Sequence, residues 1–181
     1  MGSPRLRALV LTLSLAPVPA STYGAEIEEL FPVIKNDRIV VSFRMGDAFT
    51  DDVQRTIASG LPVSFRYTVE LKKERALWFN QKVATRLIQT VVTYDNLTER
   101  YKMSRTIDEE LDRSAVVSDP ESMHDFMTRF DSLDLFPVSV LEPNGEYYLR
   151  VKGVIKERNL FLFLPWDIGS GWKKAYFTYL P

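Results

Sequence analysis

Residues 61–72, LPVSFRYTVELK, decide how this chain folds. Apolar and polar side chains alternate strictly along them, with valine, phenylalanine, tyrosine and leucine at the odd positions from 63 onward. Because successive side chains of a strand point to opposite faces, this period of two predicts a half-buried β-strand. A second run, 83–94, is rich in valine, isoleucine, threonine and leucine, and it ends at the turn signal Asp95-Asn96. We expect these two runs to pair at the centre of a sheet.

The second run does not show which of its faces is buried. Both of its alternating sets mix polar and apolar residues. One explanation is a β-bulge that switches faces. The other is a strand covered on both sides, in which Arg86 and Gln89 need polar partners.

Two short helices are expected outside these strands. Thr50 supplies a capping oxygen before a pattern of four-residue apolar spacing, and Gly60 suits a left-handed C-terminal cap. The second helix opens either with Asp119 as cap and Pro120 at the first helical position, or with a capping box from Ser118 to Glu121. Its apolar stripe predicts a helix that reaches residue 133.

Further strand-like runs occupy most of the remaining sequence. Residues 26–34 contain Pro32, which restricts them to an edge strand, while 39–45 alternate cleanly. Residues 106–113 are polar and acidic and predict a loop, and Asn144-Gly145 predicts a hairpin turn between 138–141 and 147–156. About seven strands with two inserted helices predict an α+β fold, mainly an antiparallel β-sheet of sandwich-like form. Later apolar runs lie at 160–164 and 175–180.

The N-terminal residues predict export. Arg5 and Arg7 precede a short apolar run, 8–16, and small or polar residues follow it, an order typical of a cleavable signal peptide. We expect the signal to be residues 1–20, with an end at 25 as the alternative, and residues 26–181 to form a single β-rich domain. The apolar run is about half of the ~20 residues that a membrane span requires, and no other stretch approaches that length.

Composition excludes several classes of function. The chain has no cysteine, which excludes a disulfide framework, thiol catalysis and thiolate metal sites, and suits a periplasmic protein that depends on its apolar core. Without Arg5 and Arg7 the chain has 21 basic and 24 acidic residues, a net charge of −3. Such a balance does not attract nucleic acid.

Catalytic and metal-binding patterns are not recognisable. His124 is the single histidine, so it cannot build a histidine-rich zinc site, and a helix-surface position is expected for it. The acids between 108 and 112 lack the glycine and the alternating spacing of a calcium loop, and a solvated loop is expected. We therefore expect no enzyme activity, no catalytic residues, no metal and no cofactor.

Two groups of residues are candidates for partner binding. A basic group surrounds the connection between the two central strands, where it either protects the strand ends from pairing or receives an anionic lipid headgroup or a glycan phosphate. It consists of Lys72, Lys73, Arg75, Lys82 and Arg86. Aromatic residues in the breaks between strands have polar handles that suit recognition. The predicted partner-binding residues are Trp78, Phe79, Trp172, Arg75 and Lys82.

Several segments resemble one known family. GLPVSFRY at 60–67, Trp78, YDNLTERY at 94–101, YYLRV at 147–151 and SGW at 170–172 are similar to the exported proteobacterial family called domain of unknown function 4390. The resemblance covers most of the chain from about residue 38. It implies a periplasmic, non-enzymatic domain, and association with a membrane sensor histidine kinase.

These observations lead to two hypotheses. The first is a periplasmic interaction module that binds a membrane sensor kinase or envelope protein through a strand edge or exposed aromatics. The alternative is a periplasmic binder of a lipid or another small amphiphile. It is motivated by the methionine- and phenylalanine-rich segment 123–133 and the apolar run 160–164.

Overall fold

Strands make up most of the structure, a computed structural model that describes residues 24–75, 81–157 and 168–180. Two helices, α1 (Asp51–Ala58) and α2 (Pro120–Thr128), lie between strands. The described strands are β1 (Glu26–Lys35), β2 (Arg38–Gly46), β3 (Val63–Lys73), β4 (Gln81–Asp95), β5 (Arg100–Ile107), β6 (Glu110–Val117), β7 (Arg129–Pro137), β8 (Glu146–Glu157), β9 (Ile168–Gly169) and β10 (Lys173–Thr178).

The strands form two antiparallel sheets that enclose one core. The small sheet has the order β1-β2-β7, and the large sheet has the order β10-β8-β3-β4-β5-β6, with β9 paired to β8. Apolar side chains from the inner faces of both sheets and from both helices form one buried cluster. Phe43 of β2 stacks on Phe130 of β7 at 4.3 Å between ring centroids, and its ring meets Tyr67 of β3 edge-on at 5.4 Å. The predicted α+β class, mainly antiparallel with two short helices, is confirmed.

The central strand is β3, as its alternation predicts. It pairs with β4 on one side and with β8 on the other. The odd-numbered side chains from Val63 to Leu71 are completely buried, because they face the core between the two sheets. The even-numbered side chains lie on the opposite face of the large sheet and are half-buried.

From Ala84 onward, the even-numbered side chains of β4 face the core, and Arg86 and Thr90 have hydrogen-bond partners there. The register shifts near the start of β4, since Leu71 pairs with Ala84 but Lys72 pairs with Lys82. This irregularity switches faces, as the first explanation predicts, so Lys82 lies on the face away from the core and the alternation is regular from Ala84 onward. Ile88, Thr90 and Val92 are buried. Arg86 lies in the same alternation, and its Nε donates to the carbonyl oxygen of Leu135 at 2.9 Å.

Helix α2 is shorter than its apolar stripe predicts. Asp119 caps it, with Oδ2 accepting from the backbone N–H of Ser122 at 2.7 Å and Pro120 in the first turn, so the first of the two cap registers is confirmed. The helix ends at Thr128, and residues 129–137 form strand β7, which pairs with β2. The expected helix up to residue 133 is therefore wrong.

Side chains from the large sheet donate hydrogen bonds to carbonyl groups at the C-terminal end of α2. The last carbonyl groups of a helix have no intrahelical donors. Here Tyr67 Oη and Thr90 Oγ1 both donate to the carbonyl oxygen of Met127, at 2.8 and 3.2 Å, and an Arg105 Nη donates to that of Phe126 at 3.0 Å. These donors lie on neighbouring strands of the large sheet. Because they bind the last carbonyl oxygens of α2, the helix ends where it contacts the sheet.

Two further sequence predictions are corrected by the structure. Residues 106–113, expected as a loop, belong to the β5–β6 hairpin, whose two-residue turn has positive φ at Asp108 and Glu109. Residues 138–141 contain a 3₁₀ turn, Val138–Val140, and do not pair with β8, because the chain passes from one sheet to the other there. Edge strand β1, the Asn36-Asp37 turn and the α1 cap at Thr50 are as predicted. The run 160–164 lies outside the described residues.

Candidate interaction cleft

Two strand edges lie on either side of an open gap between the sheets. Strand β6 ends the large sheet and pairs with β5 on one side, while β7 ends the small sheet and pairs with β2. Two cavities occupy the gap, with volumes of about 510 and 430 Å³. We call this gap the β6/β7 cleft. The first cavity is lined by residues that include Arg113 and Ala115 of β6 and Arg129 of β7, the second by residues that include Leu111 and Asp134.

Arg105 of β5 is the central residue of the cleft. Its side chain is 7% exposed, and its guanidinium group lies over the rings of Phe130 and Phe126 at 4.5 and 5.1 Å. One Nη donates to the carbonyl oxygens of Phe126 and Arg129, while the other is 3.9 Å from a carboxylate oxygen of Asp112. Burial lowers the pKa of Arg105, and the carboxylate of Asp112 opposes that shift. The buried cation is thus held mainly by carbonyl oxygens and aromatic faces.

Charges of both signs line the rest of the cleft. Arg113 lies over the Phe126 ring at 5.7 Å, and Arg129 Nε donates to Asp131 at 3.1 Å. In the second cavity Arg38 pairs with Asp134 at 2.6 Å and Arg86 pairs with Asp108 at 2.9 Å. Most of these arginines are therefore already bound to carboxylates. This arrangement is suited to recognising a polar partner and does not position a nucleophile and a base together.

Sequence reasoning missed Arg105 and Arg86 as organising residues. The signal for Arg105 was available, because it follows Tyr101 and Met103 at strand spacing and so belongs to the inner face of β5. For Arg86, the sequence predicts that a polar partner is needed but not which group supplies it. The partners of both arginines are carbonyl oxygens on the opposite layer, which no local pattern reveals.

Those predicted partner-binding residues that the structure describes, Trp172, Arg75 and Lys82, do not line the cleft. Trp78 and Phe79 lie outside the described residues. Trp172 is 38% exposed, and the guanidinium group of Arg150 lies 4.1 Å from its ring centroid. Lys82 is exposed on the face of the large sheet that points away from the core, whereas Arg75 follows the end of β3 and donates to the Gln81 side chain.

His124 and the acidic residues have structural contacts. The His124 ring is half-buried and stacks on Phe49 at 3.9 Å, and burial lowers its pKa while Asp125 and Asp119 oppose that shift. Asp108 accepts from the backbone N–H of Leu87 at 2.8 Å as well as from Arg86, so it joins the β5–β6 turn to β4. Among the described residues, no three histidine or carboxylate side chains are grouped to hold a metal ion.

Comparisons with known proteins identify a family and little else. The family model described as "Domain of unknown function (DUF4390)" matches residues 23–175. No curated protein and no solved structure matches the chain. Over the ranges that the structure describes, neither helix has the length and apolar character needed to cross a membrane.

Proposed function

Because the chain belongs to the DUF4390 family, which carries no assigned function, we propose its function from geometry and sequence. The protein is a periplasmic, non-enzymatic interaction module that binds its partner by strand addition at β6. The single observation that carries this proposal is that, among the described strands, β6 pairs only with β5 and so leaves one edge unpaired beside an open cleft.

The composition and exposure of β6 suit strand addition. An edge strand presents a row of unpaired backbone N–H and carbonyl groups, and an extended peptide can bind to that row. On the outward side of β6, Leu111 is 68% exposed and Val116 is 56% exposed. On its inward side, Arg113 and Ala115 line the larger cavity. An added strand would therefore place alternate side chains on an apolar surface and in the cleft.

The same edge has features that restrict which strand can bind. The pairing of β5 with β6 shifts register after Arg105, and this irregularity leaves Asp112 beside Arg105. Bulges and charged residues protect natural edge strands from unselective pairing. Glu110, Asp112 and Arg113 supply such charges here. A partner strand has to complement them, which makes recognition selective.

The partner class follows from the sequence. The signal-like residues before the domain support export, and the neutral to slightly acidic chain does not favour nucleic acid. We propose a membrane sensor kinase or another envelope protein as the partner. An extended segment of that protein would be the strand that binds β6.

Site-specific photo-crosslinking in cells tests the proposal. A photoreactive phenylalanine analogue replaces Val116, which lies on the β6 edge and is 56% exposed. The matched control places the same analogue at Leu97, which is 97% exposed in the turn between β4 and β5. We expect one membrane or envelope protein to crosslink at position 116 and not at position 97. Recovery of the same abundant bystanders from both positions would contradict strand addition.

Binding of a small amphiphile remains the second candidate because of a groove between the helices. The groove has a volume of about 450 Å³ and is lined by side chains that include Ile57, Met123 and the rings of Tyr94 and Tyr101. The buried phenylalanines of the 123–133 segment pack in the core, so they are not open to a ligand. Native mass spectrometry of protein purified gently from cells decides this candidate. A mass increase that disappears in Met123→Gln supports it, and a ligand-free mass argues against it.

A further inference from the structure

The face of the large sheet that points away from the core is strongly basic. The strand registers place the even-numbered residues of β3, β8 and β10 together on this face, with their partners on β4 and β5. We call it the basic face. It has nine lysine and arginine side chains and three carboxylates, a formal excess of +6: Arg66, Lys72, Lys82, Arg100, Lys102, Arg150, Lys152, Lys156 and Lys174, with Glu70, Asp95 and Glu146.

This excess contrasts with the rest of the chain. The whole sequence has 23 basic and 24 acidic residues. The residues that the structure describes contain 20 basic and 23 acidic side chains, so those outside the basic face contain 11 basic and 20 acidic ones, a formal charge of −9. The total charge is close to zero, but the strand registers show that positive and negative charges lie on different parts of the molecule. A protein with such a dipole orients one face toward an anionic surface.

Two of the three carboxylates are already bound to cations of the basic face. Glu70 accepts from Arg150 at 2.8 Å and lies 3.7 Å from Lys72, and Asp95 pairs with Lys102 at 2.7 Å. Within the described residues, the other six cations have no ion-pair partner at 4 Å or less. Four of them, Lys82, Arg100, Lys156 and Lys174, are exposed. These six cations are available to bind anionic groups outside the chain.

Shape and aromatic residues indicate which anionic partner fits. The five strands of the basic face at ~4.8 Å spacing, with about eleven residues at ~3.3 Å along β3, give a surface of roughly 19 by 36 Å. Such a broad surface matches a planar array of headgroups better than a narrow acidic segment. Trp172 and Tyr176 are 38% and 61% exposed at its β10 side. Tryptophan and tyrosine rings are enriched at membrane–water interfaces.

We propose that the basic face binds the surface of a lipid bilayer that contains anionic phospholipid. Lys82, Lys156 and Lys174 contact headgroup phosphates, and the rings of Trp172 and Tyr176 lie at the headgroup level. This goes beyond strand addition at β6, because the β6/β7 cleft opens on the other side of the large sheet. Either proposal can fail without the other.

Vesicle co-sedimentation of the full chain tests the proposal. The probes are vesicles of phosphatidylcholine with and without phosphatidylglycerol, at about 0.1 M and about 1 M salt, where the screening length falls from ~10 to ~3 Å. We expect binding to the anionic vesicles at the lower salt and loss of binding at the higher salt. Each lysine near an anionic surface contributes about fivefold to the binding constant, so K82Q/K156Q/K174Q binds about 100-fold more weakly.

A charge-matched control separates the face from the net charge. The variant K35Q/R44Q/R55Q removes three exposed cations from β1, β2 and α1 and changes the net charge equally. We expect it to bind within about twofold of the unchanged chain. Residues 1–23 are present in all three proteins and contribute equally. No binding to anionic vesicles, or equal losses in both variants, would overturn the proposal. Salt-sensitive binding of the basic face to polyglutamate but not to vesicles would assign the face to an acidic protein instead.

Discussion

Removing the two hydroxyl groups that bind the end of α2 should destabilise the fold in a non-additive way. Tyr67 and Thr90 are completely buried, and both donate to the carbonyl oxygen of Met127, at 2.8 and 3.2 Å. Tyr67→Phe keeps the ring and its edge-on contacts with Phe43 and Phe130. Thr90→Val keeps the shape of the side chain. Each single variant therefore removes one hydrogen bond, and the Met127 carbonyl oxygen still accepts from the other hydroxyl group.

The expected magnitudes follow from the number of remaining donors. Each single substitution should cost about 1 kcal/mol, the net contribution of one buried hydrogen bond. The double variant leaves the Met127 carbonyl without either donor, which adds a desolvation cost of about 1–3 kcal/mol. Its total loss should therefore be about 3–5 kcal/mol. The excess over the sum of the singles is the coupling between the two hydroxyl groups.

Urea denaturation followed by circular dichroism measures the four free energies of unfolding. Tyr147→Phe is the matched control, because Tyr147 is also buried and its hydroxyl accepts from the Glu142 N–H at 2.7 Å, far from Met127. Combined with Thr90→Val, it should be additive within ~0.5 kcal/mol. An additive Tyr67→Phe/Thr90→Val pair would refute the shared carbonyl as the link between the sheet and α2.

Three further predictions concern titration and packing. The hydrogen bond from Lys102, and after it those from backbone donors, lower the pKa of Asp95 from 3.8 to about 2. Asp95→Asn should therefore be less stable than the unchanged chain at neutral pH, and this difference in stability should vanish as pH falls through about 2. Thermal melting of both proteins at each pH measures the difference. Burial lowers the pKa of His124, so as pH falls below about 6.5 the unfolded chain binds a proton before the folded chain does. The free energy of unfolding should therefore decrease with falling pH in this range. In urea titrations, His124→Gln should reduce this dependence on pH. A methyl group at Gly153 would lie 2.7 Å from Met45 Sδ, so Gly153→Ala should cost about 1–3 kcal/mol, and an unchanged melting temperature would contradict this tight packing.

The central strand was predictable because its environment is simple. All side chains on the inner face of β3, from Val63 to Leu71, are completely buried, so its alternation reports the core directly. The face of β4 was not predictable, because Arg86 and Thr90 belong to the core-facing set and bind carbonyl oxygens more than 30 residues away. A polar residue that is satisfied by a distant carbonyl looks, in sequence, the same as one that faces solvent.

The errors at α2 and β6 have the same origin. The stripe from Met123 to Leu133 fits a helix, yet donors on the large sheet take the carbonyls at its end and the chain continues as β7. Strand β6 is polar because it is an edge, so its sequence resembles a loop. The cleft lies between β6 and β7 and depends on both elements, so sequence patterns did not reveal it. The cap at Asp119 and the turn at Asp95 were predictable because their hydrogen bonds are local.

Amide hydrogen exchange on the complex with the crosslinked partner tests the central claim most directly. In the free chain, the β6 amides that do not pair with β5 should exchange faster than those of the central strand β3, since β6 ends the sheet. On binding, the amides of residues 110–117 should become protected while those of β3 stay unchanged. Protection confined to other segments, with β6 exchanging as in the free chain, would contradict strand addition at this edge.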